Sequence, residues 1–160
     1  MDAVTKIHLD LILSAPENAL GEIAKALNDK LEVLAGKKLP DGVHRIDGTD
    51  MLYTLTHAVT HHDAPGAVAK LEQVPGHTPW ELAMPHEATR LVDYSKYNPA
   101  VDTKKHPGIK SEWAWLKDTY ASSSGLAWGV SFHSGSVSYC LRDSQSRALA
   151  LCRPLPASQQ

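Results

Sequence analysis

A chain of 160 residues with 42% hydrophobic content can close one core of ordinary stability, so one domain with an appendage is expected. With 16 basic and 18 acidic residues, a net charge of -2 and no long run of either sign, it carries no electrostatic footprint for a polyanion, and no nucleic-acid partner is expected. The opening MDAVTKIHLDLILSAPENAL holds only a short apolar stretch broken by His8 and Asp10 and has no basic leader, a pattern of neither an export signal nor a membrane span. A soluble protein that remains in the cytoplasm is the expectation.

From Thr5 to Gly36 the apolar positions fall into two patterns. Ile7, Leu9, Leu11, Ile12 and Leu13 are dense and begin by alternating. Leu20, Ile23, Ala24, Leu27, Leu31 and Leu34 recur every three or four residues, as one face of a helix does. Ser14 as N-cap, Pro16 in the first turn and Gly36 as stop predict a helix from Pro16 to Ala35. Its other faces carry Glu22, Lys25, Asp29, Lys30 and Glu32, so its apolar stripe either packs on the domain core or pairs with a second copy in a homodimer. The turn-rich run KKLPDGVHRIDGTD then reads as a connection, giving a helical appendage over 1–45 and a domain over 46–156.

Met51 to Val59 is apolar enough for a buried helix, with DAPG at Asp63 to Gly66 as its end and Val68 to Val74 as a further short helix. Pro85 opens another helical piece, HEATRLVDYS, with Glu87 in the first turn, where the helix dipole favours an acid. From Glu112 onward AWGVSFHSG, SVSYCLRD and ALALCRPL are alternating or apolar and separated by Gly, Ser and Asp, which is strand and hairpin chemistry. Helices followed by a small antiparallel sheet make an α+β order. Cys140 and Cys152 fall in these strand-like segments, either as two reduced thiols or as a clamp between neighbouring strands.

Two longer runs carry a family resemblance. GHTPWELAMPHEATRLVDYSKYNPAVD has a Gly-His, a Trp shortly after it, a turn with Pro, a helix ending in Leu-Val-Asp-Tyr, and Asn-Pro-Ala-Val-Asp. SEWAWLKDTYASSSGLAWGVSFHSGSVSYC has a Trp-x-Trp strand, a Ser-rich loop, an Ala-Trp-x-Val-x-Phe strand and a Gly-centred turn, and ALCRPL closes the series. In this order, over residues 76 to 154, they resemble the C-terminal domain of the Legionella collagen-like adhesin family. Residues 1 to about 75 show no such match, DGVHRIDGTD being a faint echo of the family's opening strand. Met84-Pro85-His86 and the charged Lys117 and Asp118 depart from its pattern.

The resemblance implies a C-type-lectin-like fold: a small antiparallel sheet with flanking helices, here with an added N-terminal helix, whose variable loops form a binding face. It also implies a binding protein rather than an enzyme. Family members include adhesin tips that recognise polyanionic sugars and phage or prophage proteins of unknown role. This chain, with neither signal nor collagen-like stalk, resembles the second group. A host protein or protein complex, in the cytoplasm of the host cell, is then the expected partner, as for an inhibitor of host defence, and a carbohydrate or adhesive role is the alternative.

The residues expected to meet a partner are Tyr120, Ser122, Ser123, His133, Tyr139, Arg142, Asp143 and Arg147. Tyr and Arg favour interfaces, and the loops between strands supply adaptable hydrogen bonding. Trp113 and Trp115, two apart on a strand, share a face that is either core or a stacking floor beside the serine loop. The nine histidines raise a further alternative, a metal-dependent hydrolase in which His57 and His61 share a helix face next to His62 and Asp63. Zinc hydrolases of that kind place a glutamate between the pair, and residues 58 to 60 are Ala, Val and Thr, so neither metal nor other cofactor is expected. Ser122 to Ser124 and Cys140 lie in no nucleophile elbow, and no catalytic residue is assigned.

Overall fold

The computed structural model describes residues 17–34 and 38–156. The chain divides into two units between Lys38 and Leu39. In the first, helix α1 spans Glu17–Leu34, in agreement with the helix expected from the three-and-four spacing. Leu27 and Leu31 of its apolar stripe are exposed. The alternating segment over residues 5–13, Ser14, Pro16 and Gly36 lie outside the described residues. Among the described residues no helix is long and apolar enough to cross a membrane.

The second unit is α+β. Its strands are β1 (His44–Arg45), β2 (Leu52–Leu55), β3 (Glu81–Leu82), β4 (Trp113–Thr119), β5 (Leu126–Ser131), β6 (Ser136–Leu141) and β7 (Arg147–Cys152). Helices α2 (Ala64–Ala69) and α3 (Pro85–Ala88), the latter continued by a 3-10 turn over Thr89–Leu91, complete the elements. The sheet runs β1-β2-β7-β4-β5-β6, with β3 also on β7. It is mixed rather than the antiparallel sheet expected, because β4 and β7 pair in parallel through Ala114↔Arg147 and Trp115↔Ala148. Parallel neighbours are joined by a crossover, not a tight turn, so no local turn signal announces them.

β7 sits in the middle, and its sequence says why. It is buried throughout after Arg147, and its alternate residues feed two different cores. Leu149 and Leu151 join Tyr53, Leu116, Val130 and Phe132 on one face, where Ala88 and Leu91 of the α3 region pack. Ala148, Ala150 and Cys152 join Leu52, Trp115 and Ala127 on the other, under Ala64 and Val68 of α2. Removing Leu149 or Leu151 from water stabilises the fold by roughly 1.5–3 kcal/mol each. Cys140 and Cys152 are both free thiols, and burial pushes the Cys152 thiol up to about 12.

Two expected elements are corrected. Met51 to Val59 is not a helix: Leu52–Leu55 is β2, paired with β7 from Leu52↔Cys152 to Leu55↔Leu149. A short apolar run has no period long enough to separate helix from strand, and here the open edge of β7 decides. DAPG begins a helix instead of ending one, with Asp63 as N-cap and proline in the first turn of α2, which closes at Ala69 instead of running over Val68 to Val74.

Candidate functional site

β4 and β5 part company after Trp115. The five residues from Trp115 to Thr119 oppose only the three from Gly129 to Ala127, a bulge that turns the strand end across the sheet. The backbone N–H of Tyr120 donates to Leu126 and that of Ser123 donates to Tyr120, closing a loop over Tyr120 to Gly125. This delivers the Tyr120 ring onto Tyr139 of β6, stacked at 4.2 Å between centroids and 24° between planes. Trp128 of β5 meets both edge-on, at 5.4 Å from Tyr120 and 6.0 Å from Tyr139.

The register explains the cluster. Trp128↔Tyr139 and Leu126↔Leu141 are opposed pairs, so all four side chains stand on one face, that of the Leu149 core. The core thins out there: Trp128 is partly buried, Tyr139 is 46% exposed and Leu141 64%. The result is an aromatic floor with an apolar rim, exposed at the end of the sheet where the loop carrying Ser122 and Ser123 joins β4 to β5.

Arg142 frames the other side of that loop. Its Nη1 donates to the Ser124 carbonyl at 3.1 Å and its Nε to Nδ1 of His61 at 3.3 Å. His61 is buried against Trp115, and its Nε2 donates to the Leu116 carbonyl at 3.0 Å, fixing the neutral tautomer. Burial first, and Arg142 next among the opposing charges, hold its pKa below the ordinary value of 6.5, although the Leu116 carbonyl pulls the other way. Asp143 projects into solvent 3.7 Å from His62.

Tyr120, Tyr139, Ser122, Ser123, Arg142 and Asp143 are thus gathered at one end of the β5–β6 hairpin. His133 is not among them: it lies in the turn at the hairpin's other end, with Nδ1 against Ser111 at 2.8 Å and Nε2 against the Tyr97 hydroxyl at 2.5 Å. Arg147 is half-buried and committed to the fold, donating to the Thr56 carbonyl at 2.8 Å, the Leu55 carbonyl at 3.2 Å and the Glu112 carboxylate at 3.0 Å. Trp113 and Trp115 share a face, but it is the one opposite the floor. Trp115 is fully buried and donates to the Val59 carbonyl, and Trp113 lies over Gly129. Trp128 and Leu141 complete the floor: Leu141 alternates in phase with Tyr139 along β6, a signal available in the sequence, whereas Trp128 is set opposite Tyr139 by the strand register.

The histidine alternative loses its helix, because residues 57 to 60 are not helical and α2 starts only at Ala64. His57 and His62 are exposed while His61 points into the core region. Among the described residues no group of three or more His, Cys, Asp or Glu is placed to hold a metal ion.

A comparison with curated proteins finds no match. The family model described as the Lcl C-terminal domain matches residues 30–153. That span extends the resemblance seen over 76–154 back through β1 and β2, which the sheet topology joins to the same domain.

Proposed function

From the premise that the chain belongs to the Lcl C-terminal domain family, we propose that it is a non-enzymatic binding module whose partner is a host protein or protein complex. The observation that carries this reading is the open stack of Tyr120 and Tyr139 on Trp128, beside exposed Leu141. Rigid aromatic side chains bury large area at low entropic cost, and such anchors ringed by hydroxyl and charged groups are the usual energetic centre of a protein interface. Ser122 and Ser123 lie in the adjoining loop, and Arg142 and Asp143 follow Leu141 at the same end of the hairpin, turned toward His61 and His62. The adhesin-type family and its phage members support a role in docking to, and occluding, a cytoplasmic host complex.

Capture of one stoichiometric complex from host lysate, lost in a Tyr139→Ser, Leu141→Ser double variant that melts like the wild type, is the expected result. Retention unchanged in that variant would move the interface elsewhere, and capture of nothing would sink the protein-partner reading. The same floor also fits the flat face of a sugar ring, so a glycan array is the parallel test of an adhesive role.

A further inference from the structure

β6 closes one side of the sheet, and among the described residues its outer edge is open. The other edge is the two-residue β1, which is too short to template anything. β6 has six residues, pairs with β5 at every one of them without a bulge, and contains no proline and no charge. Sheet edges are ordinarily blunted by short strands, bulges, prolines or charged side chains, and β6 uses none of these.

The hydrogen-bond phase fixes which groups the edge offers. Arg142 N–H donates to the Gly125 carbonyl, so the pairs that bond toward β5 are Ala127/Cys140, Gly129/Ser138 and Ser131/Ser136. The N–H and C=O of Val137, Tyr139 and Leu141 therefore point outward. Among the described residues only the Leu141 carbonyl has a bond, from Ser144 N–H, and a carbonyl oxygen can accept a second.

We propose that this edge is a homodimer interface, in which β6 of two copies pair antiparallel about a two-fold axis through Tyr139 and continue the sheet from one molecule into the next. The strand is complementary to itself in that register. Tyr139 opposes the second copy's Tyr139, and Val137 opposes Leu141 in both directions. The three opposed pairs give about six main-chain hydrogen bonds, two for each pair. On the floor side every opposed pair is apolar or aromatic, the kind that stabilises adjacent strands. On the other side Ser138 opposes Cys140.

The charges fit as well. Arg142 of one copy falls opposite Ser136 of the other, and Asp143 opposite Gly135, so no like charges meet. A two-fold axis also satisfies the rule that closed dimers use one patch twice. The two aromatic floors then lie on the same face of one continuous sheet, giving a double-width surface. This inference rests on the backbone edge and not on the identity of any partner.

The test is sedimentation equilibrium of the whole chain over a concentration series, with Tyr139→Lys and Tyr139→Glu variants. The wild type is expected to reach twice the chain mass. Each single variant sets like charges against each other on the axis and is expected to weaken the dimer about tenfold or more, and an equimolar mixture of the two is expected to restore it as a heterodimer. A wild type monomeric at every concentration overturns the proposal, as does a dimer unchanged in both variants or a mixture that fails to recover. A dimer lost instead in Leu27→Glu, Leu31→Glu also overturns it and assigns self-association to α1. Amide exchange on the wild type gives an arm free of variants: protection of Val137, Tyr139 and Leu141 must rise with concentration, and its absence refutes the interface.

Discussion

Gly129 is the position where a single methyl group has the largest predictable effect. A Cβ built there would lie 2.3 Å from Cε2 and Nε1 of Trp113 and 2.5 Å from its Cζ2. Gly129 is buried and opposes Trp115 on β4, so its missing side chain is the slot in which the indole of Trp113 lies. Gly129→Ala must displace that indole by more than an ångström, and overpacking of this kind costs typically about 1–3 kcal/mol.

Two features pull the expected figure toward the lower half of that range. Trp113 is half-buried and can swing outward, and its buried Nε1–H has no hydrogen-bond partner among the described residues. Release to water satisfies that donor and returns about 1 kcal/mol. The net loss expected is therefore about 1–2 kcal/mol, or a drop of roughly 4–8 °C in melting temperature for a domain of this size. Urea unfolding followed by circular dichroism measures it, and native tryptophan emission is expected to shift to the red. The decisive comparison is the cycle with Trp113→Ala, in whose background Gly129→Ala should cost nearly nothing. A loss that is the same in both backgrounds would refute the argument, since it would assign the effect to β5 itself and not to the indole.

Arg147→Ala leaves two carbonyls and the half-buried Glu112 without their shared donor, so a loss of about 2–3 kcal/mol in urea unfolding is expected, and Arg147→Lys recovers only part of it because an ammonium cannot fork. A wild-type midpoint in Arg147→Ala would contradict that assignment. Stability is also expected to depend on pH through His61 and His106, both buried and both held by burial below the ordinary histidine value of 6.5. Below pH 6.5 the unfolded chain binds protons that the folded chain refuses, so stability is complete above that value and declines as the pH falls toward the lowered folded values. Unfolding midpoints measured from pH 8 to 5 should show this decline, and His61→Gln should flatten it; a wild-type profile level across that window would exclude the neutral buried pair.

The helix Glu17–Leu34 and strand β6 were legible because each carries its own period over six or more residues, and β5 and β7 as short, largely apolar runs bounded by turn residues. β2 was not, since LYTL is short and its partner lies a hundred residues away in β7. The α2 start was present in the letters, an Asp ahead of a proline, but the same letters serve as a stop. In the candidate site, Tyr120 and Tyr139 were singled out from residue type and the structure stacks them, whereas Arg147, singled out in the same way, is bonded into the fold. Its exposed-looking position at a strand start conceals a guanidinium turned onto the carbonyls of a segment ninety residues upstream, which no local pattern encodes.

What looks least local, the open edge at β6, has a sequence cause after all. ALALC of β7 presents an apolar residue to both faces and can be satisfied only between neighbours, with helices above and below, as parallel and central strands are. SVSYCL alternates: Val137, Tyr139 and Leu141 stand on one face, Ser136 and Ser138 on the other, so it tolerates a place where one face is half wet. Given two strands joined by the Arg142–Asp143 turn, the uniformly apolar one is drawn inward to pair with β2 and β4, and the alternating one is left at the rim. The position of Tyr139 at once on an aromatic floor and on an unpaired edge thus follows from the contrast between two neighbouring segments, and a change that made β6 uniformly apolar would remove the reason for it to stay outside.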